Sequence, residues 1–227
     1  MKPHRHLAGL ALLVLFVALV EGCASGPPPT STELAEQALL RGDWQTAQRQ
    51  FEIALHADPR SGRAWLGAAR AHLAGHDAEQ ALSSLGMLAR FDPERFNGEA
   101  KPTYADALEG VTRLRLARNQ TPSALVAVRA LAELDPERRG LIRLLGDAIL
   151  AEADRRRLRG DRQSAFALFQ EASRVVPQKL SGWIGAAEML LESGQGKGAV
   201  RLLESARRYH PTSGEIRTLT IQALGVR

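Results

Sequence analysis

From Ser31 onward, small, aliphatic and aromatic residues return along the chain with a long fixed period. Ala47 and Ala81, Phe51 and Leu85, and Ala165 and Ala199 are each 34 residues apart, as are Pro59 and Pro93, and Pro177 and Pro211. Trp65-Leu66-Gly67-Ala68-Ala69 returns as Trp183-Ile184-Gly185-Ala186-Ala187, and Gly42-Asp43 returns as Gly160-Asp161. A period of this length predicts units of two antiparallel helices, each burying an apolar face against the next. Small residues let the helices approach closely, and large ones fill the gaps between neighbours. A Gly or Asn ending the first helix tolerates the left-handed backbone, and a Pro stops the second.

Five units follow over residues 31–212. The first carries Gly42, Ala47, Phe51, Ala54 and Pro59, with Ser31 where the second has Trp65. The second has Trp65, Ala69, Ala81, Leu85 and Pro93, with Gly75 one place early at its turn. The third is degenerate, with Leu108, Asn119, Ala124, Val128 and Pro136. The fourth has Gly160, Ala165, Phe169, Ala172 and Pro177, and the fifth Trp183, Ala187, Gly194, Ala199, Leu203, Ala206 and Pro211. Residues 213–227 supply a last, capping helix from about Ser213 to Leu224, with Ser213 as its N-cap. Two spacings break the period. Pro93 to Pro136 is 43 residues, and the surplus, 94–103, contains Asn97-Gly98 and Pro102 and reads as an inserted loop. Pro136 to Pro177 is 41 residues, and the surplus within 138–159 reads as a lengthened first helix.

The pattern of Trp, Gly, Ala, aromatic and Pro positions resembles the tetratricopeptide repeat (TPR). The resemblance implies an all-α, right-handed superhelical solenoid whose first helices line a concave, protein-binding side.

The N-terminus follows other rules. Lys2 and Arg5 precede a 14-residue apolar run, Leu7–Val20, which is too short to span a bilayer and has the length of a signal-peptide core. The run ends in Val20-Glu21-Gly22-Cys23, which resembles a bacterial lipobox, although Glu21 departs from the small neutral residue usual there. The resemblance implies that residues 1–22 are a lipoprotein signal peptide and that Cys23, the single cysteine, is lipidated. Ala24, rather than Asp, then implies sorting to the outer membrane, with the chain on the periplasmic face. Residues 23–30 read as the lipidated cysteine and a stiff Pro-rich tether, Ser25-Gly26-Pro27-Pro28-Pro29. Loss of residues 1–22 removes two bases and one acid, taking the net charge from +5 to +4.

Composition narrows the chemistry. One cysteine excludes an internal disulfide and Cys-based metal cages. A charge of +5 without clustered basicity does not fit a nucleic-acid binder. His72 and His76 have ligand-like spacing, but no third ligand is apparent and both read as solvent-facing. Gly194-Gln195-Gly196-Lys197-Gly198 lacks the Ser or Thr of a phosphate loop and follows a helix rather than a strand. Arg155-Arg156-Arg157 and Arg159 end a helix, where cations complement its dipole, and read as a solvated face. No catalytic constellation and no cofactor site emerge.

The TPR resemblance places three rows of first-helix residues on the concave side. One row is Leu39, Leu73, Leu116, Arg157 and Leu191; the second is Thr32, Leu66, Glu109, Leu150 and Ile184; the third is Glu36, Arg70, Arg113, Asp154 and Glu188. An aliphatic stripe flanked by charges suits an apolar helix or extended peptide, with Arg70 and Arg113 available to its carboxylates. The layout resembles pilotins and the lipoproteins of type IV or tight-adherence pili. It implies a non-catalytic adaptor for a protein partner of the cell envelope, such as a secretin or pilus component. A scaffold for polysaccharide export or cell-wall enzymes is the alternative.

Overall fold

The computed structural model describes residues 28–225; the signal-peptide run, Cys23 and most of the tether lie outside the described residues. Twelve helices and no strand occur among the described residues. They are α1 Ser31–Leu40, α2 Trp44–Ala57, α3 Gly62–Ala74, α4 Ala78–Phe91, α5 Pro93–Asn97 and α6 Lys101–Ala117. They continue as α7 Thr121–Leu134, α8 Leu141–Leu158, α9 Arg162–Val175, α10 Leu180–Glu192, α11 Gly196–Ala206 and α12 Gly214–Gly225. Apart from short α5 and terminal α12, they pair as hairpins in which the first helix also touches the first helix of the next unit. The fold is an all-α repeat solenoid.

One turn builds every hairpin. The second residue after each first helix has positive φ: Gly42 (78°), His76 (60°), Asn119 (58°), Gly160 (79°) and Gly194 (73°). In the first unit Asp43 N–H reaches back to the Ala38 carbonyl (2.9 Å) and Gly42 N–H to that of Leu39 (2.9 Å), and the other four turns repeat this pair of bonds. This closes the orphan carbonyls of one helix. In units one, two and four the next residue also caps the following helix through its side chain: the carboxylates of Asp43 and Asp77 accept the N–H of Thr46 and Gln80 at 3.0 Å, and that of Asp161 accepts from Ser164 at 3.3 Å. Gly-Asp thus ends one helix and starts another with no residue between.

His76, not Gly75, takes the left-handed conformation in the second unit; Gly75 has φ −83°. Gly75 is small for another reason, since a Cβ there would lie 2.9 Å from the Trp44 ring. Relief of the left-handed penalty predicts that His76→Gly raises stability by about 1 kcal/mol, read as a higher urea midpoint.

The segment 94–103 is not a loop. Asp92 caps α5 through the Arg95 N–H (3.0 Å), Pro93 takes the first helical position, and α6 has begun by Lys101. Phe96 stacks obliquely on Tyr104 at 5.3 Å, and Ala100 is fully buried with Leu85 and Leu88, so packing overrides the turn chemistry of Asn97-Gly98. The surplus in the fourth unit is helix: α8 is 18 residues long, against 13 for α3 and α10.

Between units, second-helix aromatics sit on first-helix glycines. Phe51 covers Gly67 and Phe169 covers Gly185, and both rings are buried. The Trp65 and Trp183 indoles donate to the Pro59 and Pro177 carbonyls (2.9 and 3.0 Å), tying each unit to the turn before it. At the far end, Ser213 Oγ accepts the Ile216 N–H (3.3 Å), and α12 packs on α10 and α11 through Ile216 and Ala223.

Candidate functional site

The first helices α1, α3, α6, α8 and α10 run side by side, joined by α12, and four cavities open along the wall they form. About 240 Å³ lies between α1 and α3 over Leu39, Leu66, Arg70 and Glu99, and about 510 Å³ between α3 and α6 over Leu73, Arg113 and Arg138. Further along, about 370 Å³ lies beside Asp154, Arg157 and Ile184, and about 450 Å³ beside Arg157 and Leu191. Nine of the eleven groove residues expected from the sequence therefore line cavities on this face. Leu116 and Leu150 line none of these four; both pack against the central core around Leu125, Leu141 and Ile149. Leu66 is only 2% exposed, so it forms a floor rather than a contact point.

The charges are not free. Arg63 of α3 holds Glu36 of α1 with two hydrogen bonds of 2.6 and 2.7 Å. Arg70 donates to Glu99 (3.2 Å), which lies just before α6, and Arg95 flanks the same carboxylate at 3.5 Å. Arg113 donates to Glu109 (2.5 Å), which also accepts from Arg138 Nε at 2.6 Å. Arg138 bonds Asp106 as well, and Lys179 bonds Asp147. Arg157 spans Asp154 (3.1 Å) and Glu188 (2.9 Å). Burial opposes the charge on Glu109, but the hydrogen bonds from Arg138 and Arg113 outweigh it and hold the carboxyl below its usual range.

The expectation that Arg70 and Arg113 are open to a partner's carboxylates is thereby corrected, because both already hold carboxylates of their own chain. The Arg70–Glu99 pair is solvent-exposed and worth little, ~0–1 kcal/mol, so a ligand with both signs of charge can exchange partners with it at small cost; Arg113 is exposed, whereas its partner Glu109 is half-buried and also held by Arg138. Arg95 and Glu99 escape a reading by period because they lie in the segment that breaks it. Arg63 and Arg138 escape because they stand outside the three rows.

Of the Arg155–Arg157 run and Arg159, Arg157 and Arg159 are exposed, but Arg155 and Arg156 turn onto a buried carboxylate. Glu152, 2% exposed, accepts from Thr121 Oγ1 (2.6 Å), Arg155 Nε (2.6 Å) and Arg156 Nε (2.7 Å). Counting back eight residues from the left-handed turns of units two to five gives Ala68, Val111, Glu152 and Ala186. A carboxylate in that core series is the signal that marks it.

His72 is half-buried rather than solvent-facing, with Nδ1 3.2 Å from Gln48 Nε2. Burial pushes its pKa down, against an opposing pull from Asp77. His76 is exposed in its turn, and no cluster of three metal-ligating side chains occurs among the described residues. Gly194–Gly198 forms the α10–α11 turn and the first residues of α11. No described helix is long and apolar enough to cross a membrane.

The tetratricopeptide repeat family profile matches residues 38–100, from the end of α1 to the start of α6. No curated protein matches the chain. Among solved structures, the chain is 20% identical to a thermophilic TPR protein from Thermus thermophilus, covering 86% of this chain and 97% of that one with a TM-score of 0.34. PilW, described as a widely conserved type IV pilus biogenesis factor, is 19% identical over 86% of this chain and 84% of that one, TM-score 0.37. The chain spans 46% of the matched chain of the APC/C hetero-tetramer Cut9–Hcn1, at 14% identity over 94% of this chain and TM-score 0.39.

Proposed function

We propose that this chain is a membrane-anchored periplasmic lipoprotein that serves as a non-catalytic protein–protein interaction adaptor in assembling a cell-envelope machine of the pilus or secretin-based secretion kind. The observation that carries the adaptor reading is the wall of first helices: an aliphatic floor under arginine–carboxylate pairs repeated from α1 to α10. Such a surface matches a partner helix or extended segment that is apolar on one side and carries both signs of charge on its flanks. The anchor reading rests on Leu7–Val20 followed by Val20-Glu21-Gly22-Cys23.

One experiment separates the two parts. The full chain, Cys23→Ser, and the Arg70→Glu/Arg113→Glu pair are each expressed, fractionated and crosslinked in the envelope. The unaltered chain sediments with the outer membrane and captures a secretin or pilus component. Cys23→Ser is released to the soluble fraction. The charge-reversed pair stays with the membrane but loses the partner, since carboxylates at positions 70 and 113 would repel Glu99 and Glu109. Retention of Cys23→Ser on the membrane defeats the anchor, and undiminished capture by the reversed pair defeats the groove.

A further inference from the structure

A second cleft lies on the opposite face from the groove, between the second helices α2 and α4 with α3 as its floor, and has a volume of about 680 Å³. The repeat supplies its own comparison, because residues 118 apart occupy equivalent places in units one–two and four–five: Phe51 and Phe169, Trp65 and Trp183, Pro59 and Pro177. In the later pair of units the space is filled by the chain itself. Phe166 packs on the core of Ala165 and Phe169, Leu202 bridges that core to the one around Trp183, and the Leu190 methyls lie beside Gly198. The equivalents of Phe166, Leu190 and Leu202 between the earlier units are Gln48, His72 and Ser84. Three shorter or more polar side chains replace one ring and two isobutyl groups along the walls of the cleft, while Leu55 and Gln80 stand where the later units have Ser173 and Gly198.

Ser84 marks what the cleft lacks. It is 5% exposed, and its hydroxyl makes no hydrogen bond within the described residues, where a helical serine commonly turns to a carbonyl of the preceding turn. No fully enclosed polar atom is left without a partner, so this hydroxyl keeps its opening to the cleft. Glu52 is the one formally charged lining residue, and no lysine or arginine lines the space.

We propose that this cleft is a second docking site, which receives an aromatic side chain bearing a hydrogen-bonding group, as tyrosine does, from a partner segment with an adjacent basic residue. The ring takes the place that Phe166 fills in the later units, beside Gln48, in the cleft that Trp65 also lines. Its polar end meets Ser84 and His72, and the neighbouring cation meets Glu52. The site is independent of the groove, whose charged pairs stand on the other face.

The test uses N-acetyl-tyrosinamide titrated into the full chain, read by NMR on the indole N–H signals of Trp44, Trp65 and Trp183. Trp65 is expected to shift with millimolar affinity and Trp183 to stay still. The triple variant Gln48→Phe/His72→Leu/Ser84→Leu, which writes the later units' residues into the cleft, is expected to weaken binding at least about tenfold. If that variant loses helical circular dichroism, Ser84→Leu alone serves, with the same direction expected. The Arg70→Glu/Arg113→Glu pair should bind the probe unchanged, which distinguishes this site from the groove. Equal shifts at Trp65 and Trp183, no shift at Trp65, or undiminished binding by the filled variant overturns the proposal.

Discussion

Gly67→Ala is expected to cost about 3 kcal/mol of stability, and Gly185→Ala nearly as much, although each adds a single methyl group. A Cβ on Gly67 would sit 2.1 Å from the Phe51 ring, and one on Gly185 would sit 2.5 Å from that of Phe169. Neither ring can yield easily, since Phe51 and Phe169 are 0% and 2% exposed and wedged between successive units. The added methyl must therefore push two hairpins apart, at the one kind of contact through which a solenoid transmits stability. Urea denaturation of the purified chain should show the midpoint fall. Phe51→Leu should then partly rescue Gly67→Ala, because it removes the ring atoms that the methyl strikes, and the pair should be strongly non-additive. Independent, additive losses would show that the glycine is not there to admit the ring.

These glycines illustrate what a repeat makes legible. Gly67 and Gly185 sit at the same place in two units, so the sequence alone marks them as points of close approach. The Gly-Asp pairs at 42–43 and 160–161 mark hairpin turns for the same reason: two obligations, a left-handed residue and an N-cap, must fall on adjacent positions. Where a different residue meets the obligation, the signal weakens. His76 carries the left-handed turn beside a glycine that does not, because Gly75 is kept small by Trp44. Residues 94–103 carry turn-forming chemistry, yet Phe96 and Ala100 find burial against α4 and α6, and that apolar gain outweighs local preference. The arginines of the first-helix wall show the limit of a face assignment. Periodicity places Arg70 and Arg113 on the correct wall, but their carboxylate partners, Glu99 and Glu109, depend on how a non-periodic segment returns and on neighbours within one helix. A helical wheel gives the direction of a side chain and says nothing about whether its charge is already satisfied.

Glu152 is where that distinction has the largest consequence. Its carboxylate joins the first residue of α7, through Thr121, to the last turn of the lengthened α8, through Arg155 and Arg156. Glu152→Ala leaves the Thr121 hydroxyl, itself 2% exposed, without an acceptor and two guanidinium groups without their shared anion. The expected loss is about 1–3 kcal/mol, the range for leaving a buried polar group without its partner, since Arg155 and Arg156 reach solvent and can rehydrate. Glu152→Gln keeps the shape and one acceptor oxygen and should lose less. Acid provides the second readout. Burial raises the pKa of this carboxyl, but the hydrogen bonds from Arg155, Thr121 and Arg156 outweigh it and bring it down to about 2, from an ordinary 4.5. The folded state therefore binds the proton less readily than the unfolded chain. This contribution is fully present above pH ~4.5 and drains away as pH falls toward ~2. Between those limits the unaltered chain should lose stability more steeply than Glu152→Gln, which has no carboxyl to protonate at this position. Parallel urea midpoints for the two across that interval would mean that the charge on Glu152 does not hold α7 to α8, whatever the hydrogen-bond distances.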